Sequence, residues 1–257
     1  MFSNVYKNKT ILITGHTGFK GSWLSIWLTS LGAKVVGVSI NIPSTPSNFS
    51  ASLITDVIED HRIDIRDSDA IRSLIVSSQP DYVFHLAAQA LVVPSYSNPL
   101  DTFSVNALGS ASVLDALRSL NKKVIAIMIT SDKAYDNVEW VWGYRETDRL
   151  GGKDPYSASK GMAELVIRSY VESFFNSSNS NIRIGIARAG NVIGGGDWAV
   201  DRIVPDCMKA WANGKTVDIR SPHATRPWQH VLEPLSGYLR LAENLYLDSQ
   251  HHGEAYN

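Results

Sequence analysis

A tyrosine and a lysine four residues apart, Tyr156 and Lys160, form the pair in this sequence that is best suited to proton transfer. Four residues turn an α-helix by about 400°, so both side chains would lie on one helix face. A neighbouring cation stabilises a phenolate and lowers the pKa of the phenol towards neutrality. Such a tyrosine can remove a hydroxyl proton while hydride leaves the same carbon for a nicotinamide. Taken alone, the spacing is also typical of an ordinary surface contact.

Three glycines at intervals of three, Gly15, Gly18 and Gly21, follow the first apolar segment and precede a helical pattern. Glycine allows a tight turn and a close approach of the backbone to a phosphate, and the next helix N-terminus offers unpaired N–H groups. The spacing is G-x-x-G-x-x-G, whereas the usual dinucleotide fingerprint is G-x-G-x-x-G. Three glycines can also serve only to turn the chain. Their place between a strand and a helix nevertheless indicates a dinucleotide site.

The end of the second predicted strand bears on the choice of cofactor. In a dinucleotide site this position commonly carries an acid that bonds the adenosine ribose, or an arginine that meets a 2′-phosphate. Here the chain reads Val38-Ser39-Ile40-Asn41, with neither an acid nor a basic residue. The missing basic residue favours NAD over NADP. Ser39 or Asn41 is left as the candidate partner of a ribose hydroxyl.

A hydroxyl, an acid and an amine stand side by side at Ser131, Asp132 and Lys133, directly after the fourth long apolar segment. Ligands of doubly wound sheets lie beyond the carboxyl ends of the strands. The cluster therefore predicts proton-transfer chemistry at that edge. Polar turn residues are common after strands, so a plain polar loop is the alternative interpretation.

The segments that must position these residues alternate between short apolar runs and longer helical patterns. The apolar runs are near-continuous, as in strands buried on both faces, and cover residues 10–14, 34–40, 82–87, 123–130 and 182–187. The helical patterns cover residues 19–31, 68–77, 100–120 and 156–175. We expect Asp101 to cap the third helix, and Asp154 followed by Pro155 to start the fourth. The alternation predicts an α/β fold, a doubly wound parallel sheet with helices on both faces.

The regular alternation fades after Ala189. Helical patterns return at residues 203–212 and 231–247, and residues 253–257 resemble the start of another strand. We therefore expect a dinucleotide-binding Rossmann domain over residues 1–189 and a smaller, apparently truncated substrate-binding region over residues 190–257. The segment near residues 230–247 is expected to pack back on the first domain.

Composition excludes several other classes of function. The chain has 257 residues, with 24 Lys or Arg and 25 Asp or Glu, so its formal net charge of −1 provides no basic surface for nucleic acid. A single cysteine, Cys207, excludes an internal disulfide, and the histidines lack metal-ligand spacing, so no metal is expected. No apolar run approaches the roughly 18 residues of a membrane span and no signal peptide is recognisable, so we expect a cytoplasmic protein without membrane contact.

Together and in this order, the motifs resemble the extended short-chain dehydrogenase/reductase family, in its branch of nucleotide-sugar epimerases and dehydratases. After the glycine loop come His85-Leu86-Ala87-Ala88-Gln89, Ser104-Val105-Asn106, Thr130-Ser131-Asp132 and the Tyr156/Lys160 pair. The match covers nearly the whole chain. Three runs, residues 15–23, 131–133 and 190–198, narrow the likeness to the dehydratases that act on CDP-sugars.

The resemblance implies an NAD-dependent lyase that converts a nucleotide-glucose, most closely CDP-glucose, to its 4-keto-6-deoxy derivative. NAD would be reduced and reoxidised within one turnover. Tyr156, assisted by Lys160 and Ser131, would take the proton of the sugar 4-hydroxyl as hydride leaves C4. The 4-ketone acidifies the C5 proton, water is lost across C5 and C6 with Asp132 protonating the 6-hydroxyl, and hydride returns to C6. The same resemblance implies a role in lipopolysaccharide O-antigen biosynthesis.

Many dehydratases of the branch that this chain resembles carry a glutamate at the position of Lys133. A lysine acts as a base only when it is neutral, which requires burial or a nearby cation to depress its pKa. Lys133 would therefore be the C5 base, or it would orient Asp132 or the substrate. The sequence leaves both roles open.

By the same resemblance, the glycine loop, the adenine flank, the end of the third predicted strand and two helices would hold the cofactor. The residues implied are Gly15, Thr17, Gly18, Phe19, Lys20, Gly21, Asp64, Ile65, Leu86, Ala87, Ala88, Asn106, Tyr156 and Lys160. The residues implied for the substrate are Gln89, Ser131, Asn191 and Arg226. Arg226 would meet the diphosphate, because a guanidinium fork suits phosphate. A homodimer is expected through the helices at residues 100–120 and 156–175.

Two other functions stay open at the level of sequence. A nucleotide-sugar 4-epimerase or reductase would use the same Tyr156 and Lys160, but it has no need of Asp132 to expel a 6-hydroxyl. A truncated NAD-binding fragment with little turnover would fit the short C-terminal region. The intact Tyr156, Lys160 and Asp132 argue against that second alternative.

Overall fold

The computed structural model describes residues 2–176, 180–219 and 221–257. Within these ranges, seven parallel strands form one sheet, in the order β3-β2-β1-β4-β5-β6-β9. The strands are β1 (Thr10–Thr14), β2 (Lys34–Val38), β3 (Glu59–His61), β4 (Tyr82–His85), β5 (Val124–Ile129), β6 (Ile182–Ala187) and β9 (Ala255–Tyr256). A separate parallel pair joins β7 (Val192–Ile193) to β8 (Gln229–His230).

Helices connect the strands and cover both faces of the sheet. They are α1 (Phe19–Ser30), α2 (Asn48–Ala51), α3 (Ser68–Ser78), α4 (Val92–Ser97), α5 (Pro99–Phe103), α6 (Gly109–Leu117), α7 (Pro155–Tyr170), α8 (Ile203–Ala212) and α9 (Leu232–Leu247). A π-helical turn at Ser104–Leu108 joins α5 to α6, and another at Val171–Phe175 extends α7. Short 3-10 turns lie at Phe2–Asn4, Ile54–Asp56 and Asp132–Ala134.

Alternate residues of each central strand are buried in two separate cores. In β1, Ile11 and Ile13 pack with residues of α1 and α9 on one face. Leu12 packs with residues of α3, α6 and α7 on the other. A sheet covered on both faces requires the near-continuous apolar runs seen in the sequence. The predicted doubly wound parallel sheet is confirmed.

The edge strand β3 goes unpredicted, because Glu59, Asp60 and His61 give no apolar signal. An edge strand with polar side chains needs only its main chain to pair with β2. The five strands predicted from apolar runs are all present, and three of them are shorter than predicted.

The third predicted helix is divided by the π-helical turn, and its cap differs from the prediction. Asn98 occupies the N-cap position of α5, and Asp101 lies in the first turn, where it pairs with Arg66 at 2.6 Å. Asp154 caps α7 as predicted, since its carboxylate accepts from the Ser157 N–H at 2.9 Å. This cap fixes the start of the helix that carries the Tyr156 and Lys160 pair.

The C-terminal elements lie against the sheet. Helix α9 packs over β5 and β6, and a Cβ on Gly185 would meet the side chains of Leu241 and Leu245. Strand β9 pairs with the end of β6. The division of the chain into two domains at residue 189 stays a prediction. None of the helices described here has both the length and the apolar character needed to span a membrane.

Candidate active site

A cavity of about 1550 Å³ opens beyond the carboxyl ends of the strands. All residues predicted to touch cofactor or substrate line it, apart from Lys160 and Asn106. It runs from the glycine loop, residues 14–21, past the end of β5 to the second glycine segment, residues 190–198. Because all central strands are parallel, their ends bring these distant parts of the sequence to one edge.

The glycine loop needs glycine at two positions for steric reasons. Gly15 has a φ of +79°, and a Cβ there would lie 2.7 Å from the Ala87 nitrogen. A Cβ on Gly21 would lie 2.8 Å from the carbonyl carbon of Gly15. Only glycine can pack this tightly, and both glycines line the cavity.

The N-terminus of α1 faces the cavity without a capping side chain. Gly18 occupies the N-cap position and offers no side-chain bond, so first-turn N–H groups lack an acceptor within the helix. Gly18, Phe19 and Gly21 line the cavity here. An uncapped helix N-terminus with close backbone access binds phosphate. The loop and helix therefore fit the diphosphate of a dinucleotide.

The polar residues after β2 bind the loop itself. Ser39 Oγ lies 3.1 Å from His16 Nδ1 and accepts from the Thr17 N–H at 3.3 Å. The Thr17 hydroxyl donates to the Asn41 carbonyl at 2.6 Å. Burial lowers the pKa of His16, whose Nε2 lies 3.0 Å from a carboxylate oxygen of Asp60. His16 and Ser39 thus shape the turn, and the Asn41 side chain is left as the candidate for the ribose.

The flanks of the predicted cofactor site are both ordered by side-chain bonds. Asp64 forms an ion pair with Arg66 at 2.6 Å on the predicted adenine side. This pairing holds the pKa of the Asp64 carboxyl below its usual range. On the other flank, the Ala87 N–H donates to Thr14 Oγ1 at 3.2 Å, which keeps residues 86–88 against the glycine loop.

Tyr156, Ser131, Asp132 and Lys133 form a continuous polar wall in the cavity. The Tyr156 phenol lies near the Ser131 hydroxyl, and burial raises the pKa of Tyr156 more than this neighbour lowers it. Ser131 Oγ donates to Asp132 Oδ1 at 3.0 Å and accepts from the Lys133 N–H at 3.3 Å. A hydroxyl, a carboxylate and an amine therefore face one space beside the phenol.

Lys160 is buried behind the cavity wall, on the inner face of α7 with Tyr156. The pKa of Lys160 is lowered to about 8, mainly by burial and also by the charge of Lys20, while Glu164 acts to raise it. The raised pKa of Tyr156 is opposite in direction to the one predicted from the lysine. The reason is that removing the phenol from water outweighs the nearby Ser131 hydroxyl and the positive charge of Arg202.

Asn106 does not line the cavity but holds a loop beside it, and its predicted contact with the cofactor stays a prediction. Its Oδ1 accepts from the Gln89 N–H at 2.8 Å, and its Nδ2 donates to the Gln89 carbonyl at 3.0 Å and to Ser159 Oγ at 2.7 Å. The Gln89 amide lines the cavity and donates to the Leu91 carbonyl at 2.9 Å. The amide of Asn106 is thus fully engaged in holding this loop against α7.

Two of the four residues predicted for the substrate, Asn191 and Arg226, come from the second glycine segment and from the chain just before β8. The Asn191 carbonyl accepts from the Gln229 N–H at 3.0 Å, which anchors the start of the second glycine segment. Arg226 is exposed, and its guanidinium donates to the Thr225 carbonyl at 2.7 Å. Both Asn191 and Arg226 line the cavity.

Sequence reasoning missed two features of this wall. Arg202 lines the cavity, pairs with Asp197 at 2.8 Å and, by its charge, lowers the pKa of both Lys20 and Tyr156. The second glycine segment also packs on α1, because Trp23 Nε1 donates to the Gly195 carbonyl at 2.9 Å. An aspartate five residues before an arginine was the available signal for the first. Among the described residues, no group of three or more His, Cys, Asp or Glu side chains could hold a metal.

Comparison with known sequences reveals several similar proteins. The family model described as GDP-mannose 4,6 dehydratase matches residues 12–251. The chain is 48% identical over 257 residues to CDP-glucose 4,6-dehydratase of Salmonella typhimurium, covering 99% of this chain and 72% of that protein. It is 30% identical over 178 residues to a GDP-mannose 4,6-dehydratase of Yersinia enterocolitica, covering 65% of this chain and 46% of that protein.

Solved structures share the fold over nearly the whole chain. An epimerase of Methanothermobacter thermautotrophicus superposes with a TM-score of 0.83 at 25% identity, covering 100% of this chain and 73% of that one. A dTDP-glucose 4,6-dehydratase of Streptomyces venezuelae, solved with NAD, superposes with a TM-score of 0.80 at 21% identity, covering 96% of this chain and 74% of that one.

Proposed function

The chain belongs to the GDP-mannose 4,6-dehydratase family, and we propose that it is an NAD-dependent lyase that removes water from a nucleotide-glucose. CDP-glucose is the proposed substrate and CDP-4-keto-6-deoxyglucose the product. The 48% identity to the Salmonella enzyme supports this choice of nucleotide. We further place the reaction in the cytoplasm, in lipopolysaccharide O-antigen synthesis.

One observation carries the proposed reaction. The Ser131-Asp132-Lys133 cluster and Tyr156 line the same cavity as the uncapped helix N-terminus of the glycine loop. A base for the 4-hydroxyl and an acid for the 6-hydroxyl are therefore both within reach of one bound sugar. An epimerase acting at C4 would use the tyrosine and would have no use for the acid, so the cluster favours dehydration.

The residues present fit NAD. The glycine loop and the first turn of α1 would hold the diphosphate, Asn41 would meet the adenosine ribose, and Lys160 would bond the nicotinamide ribose. No arginine or lysine follows β2 at the position where a 2′-phosphate would lie. When bound, NAD supplies the acceptor for the C4 hydride and the donor that returns it to C6.

The protein side chains would move the protons. Tyr156, as the phenolate, would take the proton of the 4-hydroxyl as C4 is oxidised to the ketone, with Ser131 holding the same oxygen. Burial opposes the phenolate in the ligand-free cavity, so the positive charges of Lys160 and of bound NAD would have to favour it. The proton at C5 would leave to a base, for which Lys133 is the candidate. Asp132 would then protonate the departing 6-hydroxyl, so that water forms. A proton returned to C5 as hydride reaches C6 completes the 4-keto-6-deoxy sugar.

The cations around the cavity fit a substrate with a diphosphate. Arg226 would grip the diphosphate, while Asn191 and Gln89 would meet other polar groups of the substrate. The pKa of Lys20 is lowered to about 8, mainly by burial and also by the charge of Arg202. Bound phosphate would relieve this repulsion between cations, which is a favourable contribution to binding.

A homodimer through α5, α6 and α7 completes the proposal. Apolar side chains on and beside these helices face water in the single chain: Leu100 is 82% exposed, Leu108 62% and Leu165 57%. Exposed apolar side chains in this number on adjacent helices are typical of an interface. Sedimentation equilibrium, with Leu108→Asp as the interface variant, tests this part of the proposal.

A panel of nucleotide-glucose substrates with a mass readout tests the activity. The protein is incubated with NAD and, separately, CDP-, dTDP-, UDP- and GDP-glucose. We expect CDP-glucose to give a product lighter by one water. A product of unchanged mass would indicate epimerisation, and binding of NAD without any product would indicate a binding protein.

A further inference from the structure

A buried ion pair, Glu164 with Arg188, lies beside the polar wall of the cavity and takes no part in the proposed proton transfers. Arg188 Nε donates to Glu164 Oε1 at 2.7 Å, and Arg188 Nη2 pairs with Glu164 Oε2. The side chains are only 2% and 3% exposed. The guanidinium also donates to the Tyr135 hydroxyl at 2.6 Å and lies 4.7 Å above that ring. A bidentate pair with further bonds holds its geometry more tightly than a surface pair does.

This ion pair joins three segments that carry the proposed active site. Glu164 lies on α7, one turn beyond Lys160. The Thr130 hydroxyl donates to Glu164 Oε1 at 2.7 Å, and Thr130 directly precedes Ser131. Arg188 follows β6 and stands three residues before Asn191. One carboxylate therefore fixes the helix of the tyrosine, the strand end of the acid and the strand end that leads to the substrate site.

The same carboxylate is the anion that faces Lys160 from its own helix. Lys20 on α1 is a second cation close enough to act on Lys160. His85 on β4 is close enough for the charge of Lys160 to lower its pKa. Burial lowers the pKa of His85 to about 3, so His85 is neutral and cannot compensate the lysine. Glu164 lies four residues after Lys160 on α7, and both residues are buried. Its carboxylate therefore opposes the loss of the Lys160 proton.

We propose that Glu164 and Arg188 are positioning residues of the active site. They fix the positions of Tyr156, Ser131 and Asn191 relative to one another, and the Glu164 carboxylate keeps Lys160 in its ammonium form. The inference rests on the proposed function for its kinetic consequences. Its consequence for cofactor binding stands without turnover, because Lys160 would bond NAD whether or not a sugar is converted.

The test compares three variants of the full chain with the unmodified protein across pH. Glu164→Gln keeps the size of the side chain and removes the charge. Thr130→Val removes one hydrogen bond to Glu164 and leaves both charges. The matched control is Glu243→Gln, which neutralises another buried carboxylate, paired with Arg240 on α9 and away from the cavity wall. NAD affinity is read from tryptophan quenching, and kcat and KM from the mass assay.

We expect NAD affinity to decline at a pH about one unit lower in Glu164→Gln than in the unmodified protein. One unit is the smaller end of the pKa shift that a nearby opposite charge causes. We expect kcat to fall about tenfold at the optimum while KM for the sugar changes less. Thr130→Val should lower kcat by a smaller factor and leave the pH dependence of NAD affinity unchanged. Glu243→Gln should change neither kcat nor that pH dependence. The proposal would be overturned if Glu164→Gln had the same kcat and the same pH dependence of NAD affinity as the unmodified protein.

Removing one partner of a buried ion pair can prevent folding. The double variant Glu164→Gln with Arg188→Met leaves no unpaired charge, and it takes the place of the single variant if the latter does not fold. If the unmodified protein converts no nucleotide-glucose, the proposed function fails. The pH dependence of NAD affinity then still decides whether Glu164 supports Lys160.

Discussion

The Lys20 ammonium donates to the Tyr238 hydroxyl at 3.2 Å. Lys20 belongs to the glycine loop, and Tyr238 lies on α9, more than two hundred residues further along the chain. The lysine side chain therefore crosses from the loop to a helix of the C-terminal segment. The hydroxyl of Tyr238 is buried, so the bond fixes the ammonium in one place at the cavity wall.

Substituting Tyr238→Phe should weaken NAD binding. Without the hydroxyl, the Lys20 ammonium keeps its charge but loses the bond that orients it. A single hydrogen bond to a charged group contributes about 1.5–3 kcal/mol, so we expect the dissociation constant of NAD to rise at least several-fold. Titration calorimetry measures the change. Tyr246→Phe on the same helix is the control, and equal effects of the two variants would rule out a role for the Lys20 bond.

Binding of NAD should weaken as the pH rises through about 8. The pKa values of Lys20 and Lys160 are both lowered to about 8, mainly by burial. Both lysines are charged below that pH, and a bound diphosphate would favour the charged form. Affinity is therefore full at neutral pH and declines above pH 8 as the two protons leave, by up to about tenfold per pH unit and per lysine.

The control for this pH profile is Lys20→Met, measured over the same range. Loss of one of the two titrating groups should make the decline shallower and should lower affinity at neutral pH. A profile in Lys20→Met that is as steep as that of the unmodified protein would show that other groups set the pH dependence.

Substituting Gly21→Ala should abolish cofactor binding more completely than it destabilises the fold. The added methyl would lie 2.8 Å from the carbonyl carbon of Gly15, so the glycine loop must shift away from its present course. Overpacking of this kind costs about 1–3 kcal/mol of stability, and the displaced loop no longer presents its backbone to a phosphate. Thermal unfolding and NAD titration measure the two effects.

Gly237→Ala provides the matched control, because a Cβ on that exposed residue of α9 meets open space. It should leave NAD affinity unchanged and should stabilise the helix slightly. If Gly21→Ala binds NAD as well as Gly237→Ala does, the glycine loop is not the phosphate site.

The central sheet is predictable from sequence, because strands buried on both faces must be apolar throughout. Edge strand β3 escapes the same reasoning, since Glu59, Asp60 and His61 pair through main chain alone. The glycine loop is equally predictable from sequence, because only glycine fits at positions 15 and 21 without a steric clash. Where the backbone dictates the residue type, sequence is informative.

Roles that depend on the surroundings of a side chain could not be predicted in this way. The i,i+4 spacing of Tyr156 and Lys160 indicates a shared face, but the pKa of Tyr156 depends on how deeply α7 is buried. Asn106 belongs to a motif that predicts a cofactor contact, and the bonds of its amide to Gln89 and Ser159 are visible only in the structure. Arg202 carries no recognisable motif and becomes visible only as part of the cavity wall.

Substituting Tyr156→Phe should remove turnover and leave the fold intact. The phenol hydroxyl is the proposed base for the 4-hydroxyl, and general base catalysis contributes on the order of 10²–10⁴ in rate. Because burial raises the pKa of Tyr156, removal of its hydroxyl takes away no charge. Circular dichroism and NAD affinity should therefore match the unmodified protein. Activity within a factor of two of normal would exclude Tyr156 from the mechanism.

Substituting Lys133→Met should separate the two roles that the sequence leaves open for this lysine. Lys133 stands beside Asp132 in the cavity wall, and its N–H anchors Ser131 Oγ whichever role its amine plays. If the amine is the C5 base, oxidation at C4 persists in a single turnover, seen as absorbance of reduced cofactor, while exchange of the C5 proton with deuterated water falls by about 10² or more. If the amine orients Asp132, exchange at C5 continues and loss of water is the step that slows. We expect the first result, because Lys133 lines the cavity beside the groups assigned to the 4- and 6-hydroxyls. Continued C5 exchange at the normal rate in Lys133→Met would assign the base to another residue.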